Sequence, residues 1–231
     1  EFLLPHPLPQ NRIERQLAKA EKNKSSRNPL EYQLAKAAIE RYSRYKQRDF
    51  QPTDPLAAEY RQALDAERRY DRATLATLLP DLPVDKNAAF ARLHGEQALA
   101  DGDNSKAEEI LSKAWQRWRN NENLIIPYAR SLIAVGKYQE AEKLLQAQIA
   151  RDPGAVQYYD VYGGLLDRQQ RSAEQFLLSA KYYALIGDYK LAEAQVSRAL
   201  KDPTLPVNER QKVGNLQKRY ERLKEEAENE K

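Results

Sequence analysis

What most limits the fold of this chain is a recurrence of small residues at an interval of 34 positions. Ala73, Ala107 and Ala141 keep that interval, as do Gly102 and Gly136, and Gly95 and Ala129 stand seven residues before those two glycines. A fixed period of roughly 20 to 50 residues is the signature of stacked supersecondary units, none of which can bury its apolar face alone. Between the small residues the chain is written in Ala, Leu, Gln, Glu, Lys and Arg, with only 8 Gly and 12 Pro, so each period is predicted to hold two helices and a turn. Each recurring residue has a physical task. Gly102 and Gly136 fall where the chain leaves a helix and turns left-handed, which only Gly does cheaply. Ala107 and Ala141 fall where two helices approach closely, and Pro153 stops the second helix of its pair.

The stretch from Gly136 through Ala141 and Leu145 to Asp152 and Pro153, with its neighbour from Gly102 through Ala107 to Leu111, resembles the tetratricopeptide repeat. The expected fold is therefore all-α, a tetratricopeptide-repeat superhelix of stacked antiparallel helix pairs. A further copy stands at Gly187 to Ala192, with Ala180 as its small residue and Asp202-Pro203 as its end. Gly187 lies one and a half periods after Gly136. One extra half-repeat helix, over about 156 to 170 with Gly163 at its contact point, is predicted to fill the gap. A weaker copy precedes the pair, with Tyr70 and Ala73 in phase but Arg68 at the glycine position. After the repeats, Asn208 and Gln211 read as a capping box, and Val213, Leu216, Tyr220 and Leu223 form the apolar stripe of a C-terminal capping helix.

Three regions follow. Residues 1–29 read as an extended connector and a short helix, extended over Pro5 to Pro9 and helical over Arg12 to Lys24. Residues 30–223 read as the helical solenoid, opening with a helix from Leu30 to Gln47 and a turn-rich link from Asp49 to Pro55. Residues 224–231 read as a frayed tail.

Little in the chain points to catalysis. The sequence has no Cys and two His, His6 and His94, so no thiolate site, His triad or His-Glu-x-x-His zinc motif can be assembled. No P-loop or glycine-rich nucleotide loop is present. No cofactor is expected within this chain. No apolar run reaches the roughly 20 residues of a membrane span, so no membrane insertion is expected. His94 reads as a packed structural residue, and Tyr42, Tyr45, Tyr158, Tyr159, Tyr162, Trp115 and Trp118 read as core aromatics at helical spacing.

Binding is the remaining function. In a solenoid of helix pairs the first helices line the concave groove. In this register the inward positions are Arg92, Glu96 and Leu99, then Asn123, Ile126, Arg130 and Ile133, with Asp160 and Asp167 on the inserted helix and Lys181 on the last copy. Both charges over an apolar floor suit an extended or helical peptide, so the expected partners are proteins or peptide segments. The Lys and Asn pair of chaperone-tail clamps is missing, because Arg92 pairs with Glu96 and Ile126 with Arg130 at those positions. The alternatives are a free-standing scaffold or co-chaperone and an RNA-binding helical repeat. No nucleic acid is expected, because the eleven Lys or Arg between Arg12 and Asp49 precede the repeats and do not recur with them.

The opening His6-Pro7, Pro9, Arg12 and Ile13 pattern, the segment around Leu34, and the stretch around Gly187 resemble bacterial Oma-like zinc metallopeptidases of the kind that assists β-barrel assembly. The resemblance implies that the zinc and its His-Glu-x-x-His helix lie upstream of this chain, in a parent metalloendopeptidase. It implies a periplasmic location in a Gram-negative bacterium. It also implies docking to outer-membrane assembly machinery and misassembled outer-membrane proteins, and a regulatory role for His6 as a plug of the zinc site.

Overall fold

A computed structural model describes residues 29–42, 50–119 and 121–229. His6, the proline-rich start, the basic Arg12 to Lys24 segment, Tyr45 and the side chain of Tyr42 lie outside the described residues. The described residues are helical and form two compact units, one up to Val135 and one from Gly136 onward.

The first unit holds α1 (Pro29–Tyr42), α2 (Pro55–Arg68), α3 (Arg72–Leu78), α4 (Ala88–Ala100), α5 (Asn104–Arg117) and α6 (Glu122–Ala134). Gln33 ties α1 to the start of α2, its Oε1 accepting from Thr53 N at 2.7 Å and Asp54 N at 3.0 Å. Asp54 then caps α2 by accepting from Leu56 N at 2.9 Å, with Pro55 in the first turn, an arrangement that contributes about 1 kcal/mol. Leu34, Tyr60, Leu64, Leu75, Phe90 and Leu93 build one core from α1 to α4. Leu111, Ala114 and Leu124 continue it across α4, α5 and α6, where Trp115 stacks on Tyr128 at 5.9 Å.

The second unit holds α7 (Tyr138–Arg151), α8 (Val156–Arg168), α9 (Ser172–Leu185), α10 (Tyr189–Lys201) and α11 (Arg210–Asn229). Ala173, Ala180, Ala192 and Val196 are buried between α9 and α10, and Val213 and Tyr220 of α11 cover them. The capping stripe thus packs as its spacing predicts. The capping box does not form. Asn208 lies inside a 3-10 turn, Val207–Glu209, and its side chain makes no hydrogen bond among the described residues. The predicted frayed tail is helical to Asn229, because Glu225, Glu226 and Glu228 favour helix and Glu226 pairs with Arg222 at 3.5 Å.

One turn is built four times. Asp71, Asp103, Arg171 and Asp188 each donate a backbone N–H at 2.9 Å to a carbonyl five residues earlier, across a left-handed residue. That residue is Tyr70, Gly102, Gln170 and Gly187, at φ 57°, 80°, 57° and 78°, and Gly136 joins them at φ 80°. Seven residues before each stand Ala63, Gly95, Gly163, Ala180 and Ala129, the predicted small residues plus Ala63.

This geometry sharpens the repeat register in two places. Gln170 is 34 residues after Gly136, so α8 and α9 form a pair in phase with those before them, and α9 goes on to pack against α10 through the Gly187 turn. The extra helix is present, and α9 serves two pairs. In the first unit the turn comes at Tyr70 and not at the Arg68 that strict phase demands. Ala73 is consequently exposed, and Leu75 takes the buried position equivalent to Ala107.

The small residues are not equally constrained. A Cβ on Gly95 would lie 2.6 and 2.7 Å from the two methyl carbons of Leu111, whereas one on Gly163 would meet nothing within 4 Å. Gly163 is therefore not the tight contact point its phase suggests. We expect Gly95→Ala to lower the urea midpoint by an amount worth about 1–3 kcal/mol through overpacking. Gly163→Ala should raise it by roughly 0.5–1 kcal/mol, and Gln170→Gly by about 1 kcal/mol through relief of the left-handed turn. Chemical denaturation of the three variants beside the parent checks the order.

Candidate functional site

The predicted groove residues separate by burial. In the first unit Arg92 and Ile133 are buried, at 9% and 8% exposure, so neither side chain reaches solvent as a groove residue should. Ile133 carries apolar surface and is taken into the interior with its helix. Arg92 is held for an electrostatic reason. Its guanidinium donates to Glu67 Oε1 of α2 at 3.0 Å and to the Glu96 carboxylate one turn along α4. A buried guanidinium is tolerated only when paired and hydrogen-bonded, and two carboxylates meet that need.

The cost falls on the acids. Burial holds the Glu96 carboxyl above its ordinary 4.5, with Arg92 opposing that shift and Glu67 adding to it through charge and a hydrogen bond. Arg130 of α6 acts on Glu96 from outside. Glu67 escaped the sequence reading, because its link to Arg92 joins two different pairs of helices. A carboxylate in the last turn of an amphipathic helix was the only available sign.

Glu96, Leu99 and Arg130 line a single cavity of about 620 Å³. Leu75 and Leu93 supply apolar floor, and Tyr70 and Arg68 stand at its lip. The cavity thus lies between the turn at Tyr70 and one face of α4. Tyr70 is 91% exposed and Arg130 is exposed, while Leu99 is half-buried against the α4–α6 core. A pocket of this size, with an apolar floor and charged residues around it, fits a peptide side chain or short segment. Asn123 is exposed and Ile126 half-buried on α6, away from the cavity lining.

In the second unit Asp160 and Asp167 of α8 and Lys181 of α9 are all exposed. The same unit holds a half-buried polar network. Arg171 donates to both Glu142 oxygens, at 2.8 and 2.9 Å, and Tyr162 donates to Glu142 at 2.7 Å. Arg171 and Tyr162 hold the Glu142 carboxyl below its ordinary value, while burial and then Glu142 push the Tyr162 hydroxyl up to about 12. Tyr158, Tyr159 and Tyr162 are buried, in keeping with core aromatics.

His94 Nε2 lies 2.9 Å from the Leu82 carbonyl oxygen, so the ring carries its proton on Nε2 and clips α4 to the preceding loop. Among the described residues no three His, Asp or Glu side chains gather as a metal site, and no helix is long and apolar enough to cross a membrane.

A tetratricopeptide repeat family model matches residues 98–165. The matched stretch runs from the end of α4 into α8 and contains both Gly102 and Gly136, so it reaches most of the helix that the Gln170 turn places in phase. With the helical architecture, it establishes an all-α tetratricopeptide-repeat fold and a protein-interaction module. A comparison with curated proteins gives no match.

The charge cluster yields a pH signature. A carboxyl raised by folding contributes stability that is fully present below its unfolded value, near 4.5, and lost as pH rises through the folded value. Urea midpoints measured from pH 4.5 to neutrality should therefore fall less steeply in Glu96→Gln than in the parent. Arg92→Met should lose about 3 kcal/mol or more at neutrality and less in acid, where the stranded carboxyls are protonated.

Proposed function

We propose that the chain acts by holding peptide segments of other proteins, and that it does so as the docking part of a periplasmic zinc metallopeptidase of the Oma-like type. The observation that carries the binding role is the cavity between the Tyr70 turn and α4, which pairs apolar floor with exposed charge on a frame of helical repeats. Such a surface recognises chain segments by shape and by a few charge contacts.

The narrower assignment is supported by the His6-Pro7, Pro9, Arg12 and Ile13 pattern of the opening segment. On that reading the repeats bring the parent enzyme to outer-membrane assembly machinery and to misassembled β-barrel proteins. Zinc is the cofactor of the parent and is bound upstream. His6, near the zinc, holds the enzyme inactive until the segment moves. A free-standing scaffold is the alternative, and the parent gene separates the two. An export signal and a His-Glu-x-x-His helix encoded upstream are expected, and the absence of both would remove the protease assignment.

Site-specific photocrosslinking tests docking itself. A photoreactive residue at Arg130, Asp160 or Asp167 should capture partner polypeptide in cells, and one at the exposed Val207 should not. Equal capture at Val207 would show that the binding face lies elsewhere. In the parent enzyme, His6→Ala should increase proteolysis, read by the turnover of a β-barrel substrate.

A further inference from the structure

The cavity at the Tyr70 turn carries a more specific reading, which rests on the peptide-binding function above. Three observations at this one place do not depend on each other. The first is the lip. Tyr70 occupies the left-handed turn position at φ 57°, where two sister turns of the first repeats have glycine, and it is 91% exposed. A bulky residue in that conformation is strained. Nothing in the fold is gained in return, because its ring is not packed. Strain of this kind, kept at the edge of a cavity, points to use of the side chain.

The second observation is the balance of charge. The acids around the cavity are already occupied. Glu67 and Glu96 are held by Arg92, and Asp71 caps α3 through Thr74, accepting from its N–H at 3.0 Å and its hydroxyl at 2.6 Å. Of the cations, Arg72 donates to the Ala100 carbonyl at 3.2 Å, whereas the other two are not held. Arg68 and Arg130 are exposed and make no hydrogen bond or ion pair within the described residues, although Arg130 acts on Glu96 at longer range. The lip therefore presents two guanidinium groups with donors to spare, and guanidinium prefers carboxylates.

The third is the floor. Leu75, Leu93 and the half-buried Leu99 line the cavity, and its volume of about 620 Å³ accommodates a large side chain with part of its backbone. We propose that the cavity receives a peptide segment in which a large apolar or aromatic residue stands beside Asp or Glu. The apolar side chain enters over Leu75 and Leu99, the carboxylate meets Arg68 and Arg130, and Tyr70 closes over the segment from the lip.

Selection from a phage-displayed library of random linear peptides on the whole chain tests this. The selected peptides should be enriched in Asp or Glu next to Leu, Phe, Tyr or Trp. Measured by fluorescence anisotropy, the double variant Arg68→Gln/Arg130→Gln should bind them about tenfold more weakly, and added salt should weaken the parent in the same direction. Tyr70→Gly should bind more weakly while melting at a higher temperature than the parent, which separates lost contact from lost folding. Selected peptides that are basic, or whose binding ignores all three substitutions, would overturn this site and leave the peptide-binding function standing. A library that yields no binding peptide would overturn that function, and this proposal with it.

Discussion

The helical frame depends on how each helix is left. A single left-handed residue lets the next N–H reach back five residues, closes the helix end, and aims the chain into the following helix. At Gly95 the small residue seven positions upstream allows the following helix to come close, and the methyl groups of Leu111 fill the space a side chain would need, whereas Gly163 makes no such contact. Turn and small residue together set the separation and direction of a pair. The core clusters, the buried alanines Ala107, Ala141 and Ala192, and the exposed face of each helix follow from that setting.

Against this regular background the Arg92 cluster is an exception. A charged side chain enters the interior of the first unit, and two glutamates from different helix pairs follow it. Such a cluster is costly to desolvate and contributes little net stability beside an apolar core of the same volume. Its consequence is local. It pairs Glu67 and Glu96 with Arg92 and, on the proposed reading, leaves Arg68 and Arg130 as the charges that a partner meets.

Much of the fold was legible because the repeat is a local pattern. Helix pairs, their glycine turns, the Pro153 stop and the stripe of the last helix each depend on residues near one another in sequence. The Gln170 turn was hidden because glycine there is favoured but not obligatory, and a polar residue can bear the left-handed conformation. The Tyr70 turn was misplaced by two residues because strict phase was carried across a point where the chain slips it. Asp71, a helix-capping acid directly after the turn as at Asp103 and Asp188, was the sign that could have corrected it. Of the residues that line the cavity, register had named Glu96, Leu99 and Arg130. Arg92 and Ile133 were taken for groove residues because periodicity gives the face of a helix and not the depth of a side chain.

By itself the sequence determined that this chain is a stack of helix pairs, since period, helix propensity and turn chemistry all act over a few residues. Tertiary structure decided what the stack offers to a partner. The cavity exists only where the Tyr70 turn, α4 and Arg130 converge, and its charge depends on Glu67 reaching Arg92 across 25 positions of chain. No interval in the sequence encodes that meeting, because it is set by packing between helix pairs of the first unit and not by the repeat period.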